Sequence, residues 1–435
     1  MTTPTSSASP WRPTPAYFRA AAAAAVLIAC ALLWRRPDLL VIATPLAVVT
    51  AWSVSTRPSA APTFVDRLAH PTIREGDATT WHGQVAGVPE LDLAVAALDD
   101  APWVDMRPAS GIVTARAADG VVRLDIGVRS TRWGTRPVER VRVVAATPWA
   151  AFRWSASTVH HPLTTLPLPS VFDVDATARP ADGLIGLHRS ARAGEGNEFA
   201  GIRPFRAGDR LRRINWARSA RSTELQVNST WADVDTHIAL VIDATEDFGV
   251  SEGIDGLASS LDGAVRAAGA IAEHYAPRGE RVSLRTFGPT ATHTVRPGTG
   301  RVQLRRILDT LARVRPSDSG RSSGRAGSPL RSVDGSQITV MLSPLVAPEA
   351  LDLVVSLGRQ GMTVIVVDTL PDHVTQDEDE YTALAWRIRL LERRRELRLV
   401  MAAGIPVVQW RGPGSLDQVI RDIGRRATGP RVLQR

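Results

Sequence analysis

The sequence contains no lysine, and all 52 of its basic residues are arginine. Complete replacement of lysine by arginine, alongside abundant Ala, Gly, Pro and Val, points to a GC-rich genome rather than to selection for a ligand. The net charge of +8 is therefore no evidence by itself for nucleic acid. It still favours anionic neighbours, including the inner face of a membrane. Cysteine is almost absent. With Cys30 alone, a disulfide framework or a cysteine-based zinc site within one chain is excluded. P-loop, His-Glu-x-x-His and paired Cys-x-x-Cys patterns are also missing, which removes several common catalytic classes. Aromatic residues make up only 5% of the chain, so a place where they gather among arginines stands out.

Residues 1–16 are rich in Thr, Ser and Pro and are expected to be disordered. Two apolar runs follow, Ala20–Trp34 and Leu39–Val54, separated only by Arg-Arg-Pro-Asp. At about 1.5 Å per residue each run covers slightly less than a ~30 Å hydrocarbon core. Tyr17, Phe18, Trp34 and Trp52 extend them into the interface. A second run directly after the first favours a transmembrane hairpin over residues 17–56 rather than a cleaved signal peptide. Arg12, Arg19, Arg57 and Arg67 flank the outer ends, against Arg35 and Arg36 at the tip. That bias puts both ends, and the soluble bulk, in the cytoplasm, on the inner (cytoplasmic) membrane.

From 62 to 170 the pattern is one of short alternating strands, such as Val121, Leu124, Ile126 and Val128 against Arg123, Asp125 and Arg129. This predicts an antiparallel β-sandwich-like domain. His160 and His161 read as loop residues. From 235 to 430 apolar strands alternate with helices, which predicts a parallel sheet covered on both faces. The loop 315–336, rich in Ser, Gly and Arg, is expected to be disordered, and a final helix to start near Ser415. Asp243, Ser343 and Asp368 fall at strand carboxyl ends, where such sheets form sites. In the helix "RIRLLERRRELR" (387–398) six arginines interleave with Glu392 and Glu396. It reads as the solvated face of a core helix, with contact to anionic lipid as the alternative.

Residues 180–232 hold the densest signal. "GEGNEFAGIRPFRAGDRLRRINWARSAR" places Phe199, Phe205 and Trp216 among Arg203, Arg206, Arg210, Arg212, Arg213, Arg218 and Arg221. Three readings stand: a clamp joining the β and α/β domains, a surface for an acidic partner, and nucleic acid. The last is disfavoured because no recognised binding motif frames the arginines. In the clamp reading the aromatics are buried anchors and Asp209 pairs with arginine. Glu195, Glu198 and Asp209 read as solvated or salt-bridged carboxylates rather than an acid/base set.

This block resembles the signature of the family called domain of unknown function number 58. The matching residues are Glu198, Phe199, Arg203, Gly208, Asp209, Ile214, Trp216, Ser219, Ala220 and Arg221. Phe205 stands where the family usually has Tyr, and Ala207 where it has Pro. The resemblance implies a transmembrane hairpin, a β domain and a degenerate von Willebrand factor type A-like domain. It also implies a link with MoxR-type AAA+ ATPases. "IDATED" resembles the first ligand motif of that domain, making Asp243, Thr245 and Asp247 candidate metal ligands. Ser343 occupies the usual distal carboxylate position, and Thr290 is the nearest candidate for the central Thr. Three oxygen side chains without the distal carboxylate imply no cofactor beyond weakly bound Mg²⁺. The resulting expectation is a non-enzymatic, membrane-anchored adaptor for an AAA+ ATPase or its client. The alternative is a metal-dependent enzyme using the Asp243–Thr245–Asp247 loop.

Overall fold

The computed structural model describes residues 7–138, 140–158, 161–168, 189–206, 209–233, 237–288, 293–316, 337–372, 374, 380–411 and 415. The loop expected over 315–336 lies outside the described residues from 317 onward, as does the final helix beyond Ser415. The chain forms two compact units, residues 1–166 with Gly253–Asp255, and Pro167–Glu252 with Gly256–Arg435.

In the first unit β1 (Ser7–Ala8) and β2 (Arg12–Pro13) precede α1 (Pro15–Leu33) and α2 (Asp38–Ser55). Eleven strands follow: β3 (Thr63–Leu68), β4 (Thr72–Arg74), β5 (Ala78–Ala86), β6 (Leu93–Leu98), β7 (Val104–Arg107), β8 (Ile112–Arg116), β9 (Val122–Ser130), β10 (Gly134–Val138), β11 (Val141–Ala146), β12 (Phe152–Ser157) and β13 (His161–Leu166). They build sheets ordered β1-β12-β11-β6-β8, β3-β5-β9-β7 and β10-β13-β4. Alternate residues of the first two sheets, among them Trp81, Leu124, Ile126, Val143 and Trp154, interdigitate in one core. That is the arrangement of a β-sandwich.

Residues 7–14 are not disordered. β1 pairs antiparallel with β12, and Arg12 and Pro13 sit opposite Arg153 and Phe152. The Trp11 indole N–H donates to the Ala60 carbonyl at 2.8 Å. Thr14 caps α1 through the Tyr17 N–H at 3.2 Å, and its own N–H donates to the Ala151 carbonyl. Both α1 and α2 are long and apolar enough to cross a membrane, and only 11% of each apolar span is buried. Because β2 leads into α1 and α2 leads out to β3, both ends of the helical pair are bound into the same β domain.

His161 is not a loop residue. It lies in β13, and its Nε2 sits 2.6 Å from Asp66 Oδ2. The same oxygen accepts the Trp81 indole N–H at 3.0 Å. Asp66 is almost fully enclosed, and its hydrogen bond raises the His161 pKa above the ordinary value of 6.5 against the opposing effect of burial.

The second unit contains β14 (Arg189–Pro204), α3 (Trp216–Ser219), β15 (Gln226–Asp233), β16 (His237–Asp243), α4 (Ser260–Tyr275), β17 (Arg281–Phe287), β18 (Thr294–Gly298), α5 (Gly300–Leu311), β19 (Gln337–Ser343), α6 (Pro348–Arg359), β20 (Thr363–Asp368), α7 (Glu380–Ala402) and β21 (Val407–Gln409). Its main sheet runs β18-β17-β16-β19-β20-β21. All neighbours are parallel except the edge strand β18. Val241, Met341, Val364 and Val366 pack with α6 and with Val400 of α7, while α4 and α5 cover the other face. The chain steps outward from β16 to β17, then returns to β16's other side at β19. The strand order therefore reverses between β16 and β19, and such a reversal opens a crevice at the carboxyl ends.

Candidate functional site

That crevice is where Asp243 and Ser343 lie, and here it is filled. Asp243 is 2% exposed. The Ser343 hydroxyl donates to its Oδ2 at 2.6 Å, and the Thr245 N–H donates to its Oδ1 at 3.0 Å. The Thr245 hydroxyl donates to the same oxygen. Burial pushes the Asp243 pKa up, opposed by the bonds from Ser343 and Thr245. Ser343 Oγ in turn accepts the Leu345 N–H at 2.9 Å. This tight return folds Leu345 into the left-handed region at φ 49°, a conformation that costs a non-glycine residue energy. Pro344, Leu345 and Val346 are buried in the space above the strand ends.

Asp247 does not join this cluster. Its carboxylate accepts the Leu261 N–H at 2.9 Å and the Ser259 and Ser260 hydroxyls at 3.0 and 3.2 Å. It sits at the start of α4, where Ser259 and Asp262 also form a capping box and where a negative charge complements the helix dipole. The three oxygens of Asp243, Thr245 and Asp247 therefore do not converge, and the expected ligand triad is corrected to two separate structural roles. Among the described residues no group of three or more His, Cys, Asp or Glu side chains is placed to hold a metal ion. Thr290 lies outside the described residues.

Sequence reasoning missed what seals the crevice. Arg393 of α7, itself buried, donates to Asp368 Oδ1 at 2.5 Å and through Nε to the Pro344 carbonyl at 2.8 Å. Burial raises the Asp368 pKa, and the Arg393 guanidinium works against it. Arg389 donates to the Val346 carbonyl at 2.6 and 3.0 Å and pairs with Glu396. Trp386 stacks on Phe248 with ring centroids 5.5 Å apart. Part of the arginine-rich helix thus serves as a lid fastened to carbonyls. The available signal was an arginine at i and i+4 on the helix face opposite its exposed residues.

The signature segment is an excursion between the antiparallel strands β14 and β15. Arg203 grips Asp209 through both guanidinium nitrogens at 2.7 and 2.6 Å. The Arg206 N–H also donates to Asp209 at 2.8 Å. Together these hold the Asp209 pKa down to about 2. Ile214 is buried and bridges to Val227. Asn215 caps α3 by accepting the Arg218 N–H at 3.1 Å and donates to Asn228 at 2.9 Å. Ser219 donates to the Asn215 carbonyl and accepts the Gln226 N–H. The polar signature residues thus satisfy one another. Gly208 lies outside the described residues, and of Glu198 only its position in β14 is described.

Two of the three aromatics, Phe199 and Trp216, break the expectation of buried anchors, while Phe205 is half-buried. Phe199 is 61% exposed, Leu211 69% and Trp216 67%. Arg206, Arg210, Arg212, Arg218 and Arg221 are exposed beside them. The segment closes on itself through Arg203, Asp209, Asn215 and Ser219, and turns Phe199, Leu211 and Trp216 outward while Phe205 is half-buried and Ile214 buried.

Residues 201–385 match the family described as "Protein of unknown function DUF58". An uncharacterized protein of Mycobacterium bovis and one of Mycobacterium tuberculosis are each 30% identical over 192 residues, covering 43% of this chain and 52% of theirs. The chain thus spans about half the length of the curated relatives it matches. The solved cupredoxin domain of amoB from Nitrosocaldus yellowstonii covers 25% of this chain and 88% of its own, with 7% identity and a TM-score of 0.17. That likeness is too slight to carry fold or copper chemistry across. Over residues 201–385 the chain is therefore similar to this family, whose function is unknown.

Proposed function

We propose that the protein is a non-enzymatic adaptor, anchored in the cytoplasmic membrane by α1 and α2. It presents a degenerate von Willebrand factor type A-like unit to a cytoplasmic AAA+ ATPase of the MoxR type, or to that ATPase's client. The observation that carries this reading is the outward display of Phe199, Leu211 and Trp216 among arginines, on a segment whose polar residues are already paired. Aromatic and arginine side chains are the groups that dominate protein interfaces. The parallel sheet with Asp243 and Ser343 at the strand-order reversal supports the von Willebrand-like reading. The closure of that crevice speaks against the metal-dependent enzyme, since Asp243 and Asp247 are each occupied with protein donors.

The test is direct binding of the full chain in detergent to a purified MoxR-type ATPase, with and without ATP. Trp216→Ala should weaken binding about 10–100-fold while the melting temperature stays that of the parent, because the indole is exposed. Unchanged binding by the variant, or none by the parent, would refute the proposal.

A further inference from the structure

The other side of α7 is unaccounted for. Its inward face is spent on Arg389, Arg393 and Val400. At 100° per residue, Tyr381, Leu384, Ile388, Leu391, Arg395 and Leu399 fall on one opposing stripe about 80° wide. All six are exposed. Arg387, Arg394 and Arg398, also exposed, line one flank of that stripe. In a helix whose inner face already packs on a sheet, an exposed stripe of apolar side chains broken only by Arg395 and edged by further cations is not needed for folding. Such a stripe can set apolar side chains at the acyl boundary of a membrane and guanidinium groups among its phosphates.

We infer that the outward face of α7 docks on an anionic leaflet surface of the membrane that holds α1 and α2. The inference rests on the membrane-anchor reading. Charge complementarity selects the occupant. The stripe and its arginine flank carry Arg387, Arg394, Arg395 and Arg398, against Glu380 on the same flank and Glu392 on the opposite one, a net positive charge, and phosphate-bearing lipid is the anionic surface nearest to a membrane-anchored chain. A second copy of the helix would bring the same arginines against each other, since like charges facing across an interface repel.

The experiment uses the full chain with Cys30→Ser, reconstituted into vesicles of phosphatidylcholine or of phosphatidylcholine with about 30% phosphatidylglycerol. A fluorophore on Leu391→Cys, or on Leu384→Cys as a second site, reports contact with spin-labelled lipid. Val302→Cys on α5 is the control. In anionic vesicles lipid quenching of the α7 labels should exceed that of the control at least about two-fold. It should fall to the control value when Arg387, Arg394, Arg395 and Arg398 become Gln, or at about 1 M salt. Labels open to aqueous quencher, labels shielded from both lipid and water, or a control quenched equally would each overturn the inference. Flotation with pure phosphatidylcholine vesicles tests the anchor separately. Failure to float removes both readings, whereas flotation without quenching removes only the α7 surface.

Discussion

Ser343 donates its hydroxyl proton to Asp243 at 2.6 Å across 100 residues of chain, which joins the carboxyl ends of β16 and β19 where the strand order reverses. Removing the donor leaves a buried carboxylate short of a partner. Ser343→Ala should cost about 1–3 kcal/mol, read from denaturant unfolding. Parent protein should show a melting temperature nearly independent of millimolar Mg²⁺, since Asp243 and Asp247 are spent on separate sets of protein donors. Micromolar Mg²⁺ affinity that disappears in Asp243→Ala, measured by calorimetric titration, would reopen the metal site.

The Arg393–Asp368 pair should behave differently from a surface ion pair, because both side chains are buried. Arg393→Ala strands the Asp368 carboxylate and the Pro344 carbonyl together. The expected loss is about 3–5 kcal/mol. Arg393→Met with Asp368→Leu should recover much of it, and failure of that double variant would show that the carbonyl contact matters more than the charge pair.

His161 gives the β domain a pH dependence of definite sign. Its pKa is raised in the folded state, chiefly by the Asp66 hydrogen bond. Stability from this pair is fully present below the ordinary value of 6.5 and is lost as pH rises above it. The melting temperature of the parent should therefore fall from mildly acidic to mildly alkaline pH, and His161→Gln should flatten that slope. Parallel slopes would remove His161 as its source.

With β2 and β3 both bound into one domain, reporters fused at the amino terminus and at the carboxyl terminus should lie on the same side of the membrane. A phosphatase should be inactive, and a fluorescent protein bright, at both positions. Opposite readings at the two ends would refute the two-span anchor.

The strand ends at Asp243, Ser343 and Asp368 were legible because continuous apolar runs stop there. The helical pair was legible from its length. What failed was direction and distance. Asp-x-Thr-x-Asp suggested three converging oxygens, but the chain turns after Thr245 and the amino terminus of α4 claims Asp247. His161 looked like a loop residue because its partner, Asp66, lies 95 positions away. Trp216 looked buried because residue type alone does not say which way a side chain points. The composition of residues 7–14 suggested disorder, yet strand pairing with β12 orders them.

That pairing has a consequence for how the protein is made. Ser9 waits for Ser155, 146 residues later, and at about 5–20 residues per second synthesis takes on the order of 10–30 s to supply it. During that interval the first strands are tethers without a berth. Once made, β12 needs them as much as they need it. An amino-terminal truncation to Pro15 would uncover the β12 edge of a sandwich sheet, and exposed edges recruit strands from other molecules. Aggregation of the truncated protein, absent in the parent, would show that the opening residues shield this edge.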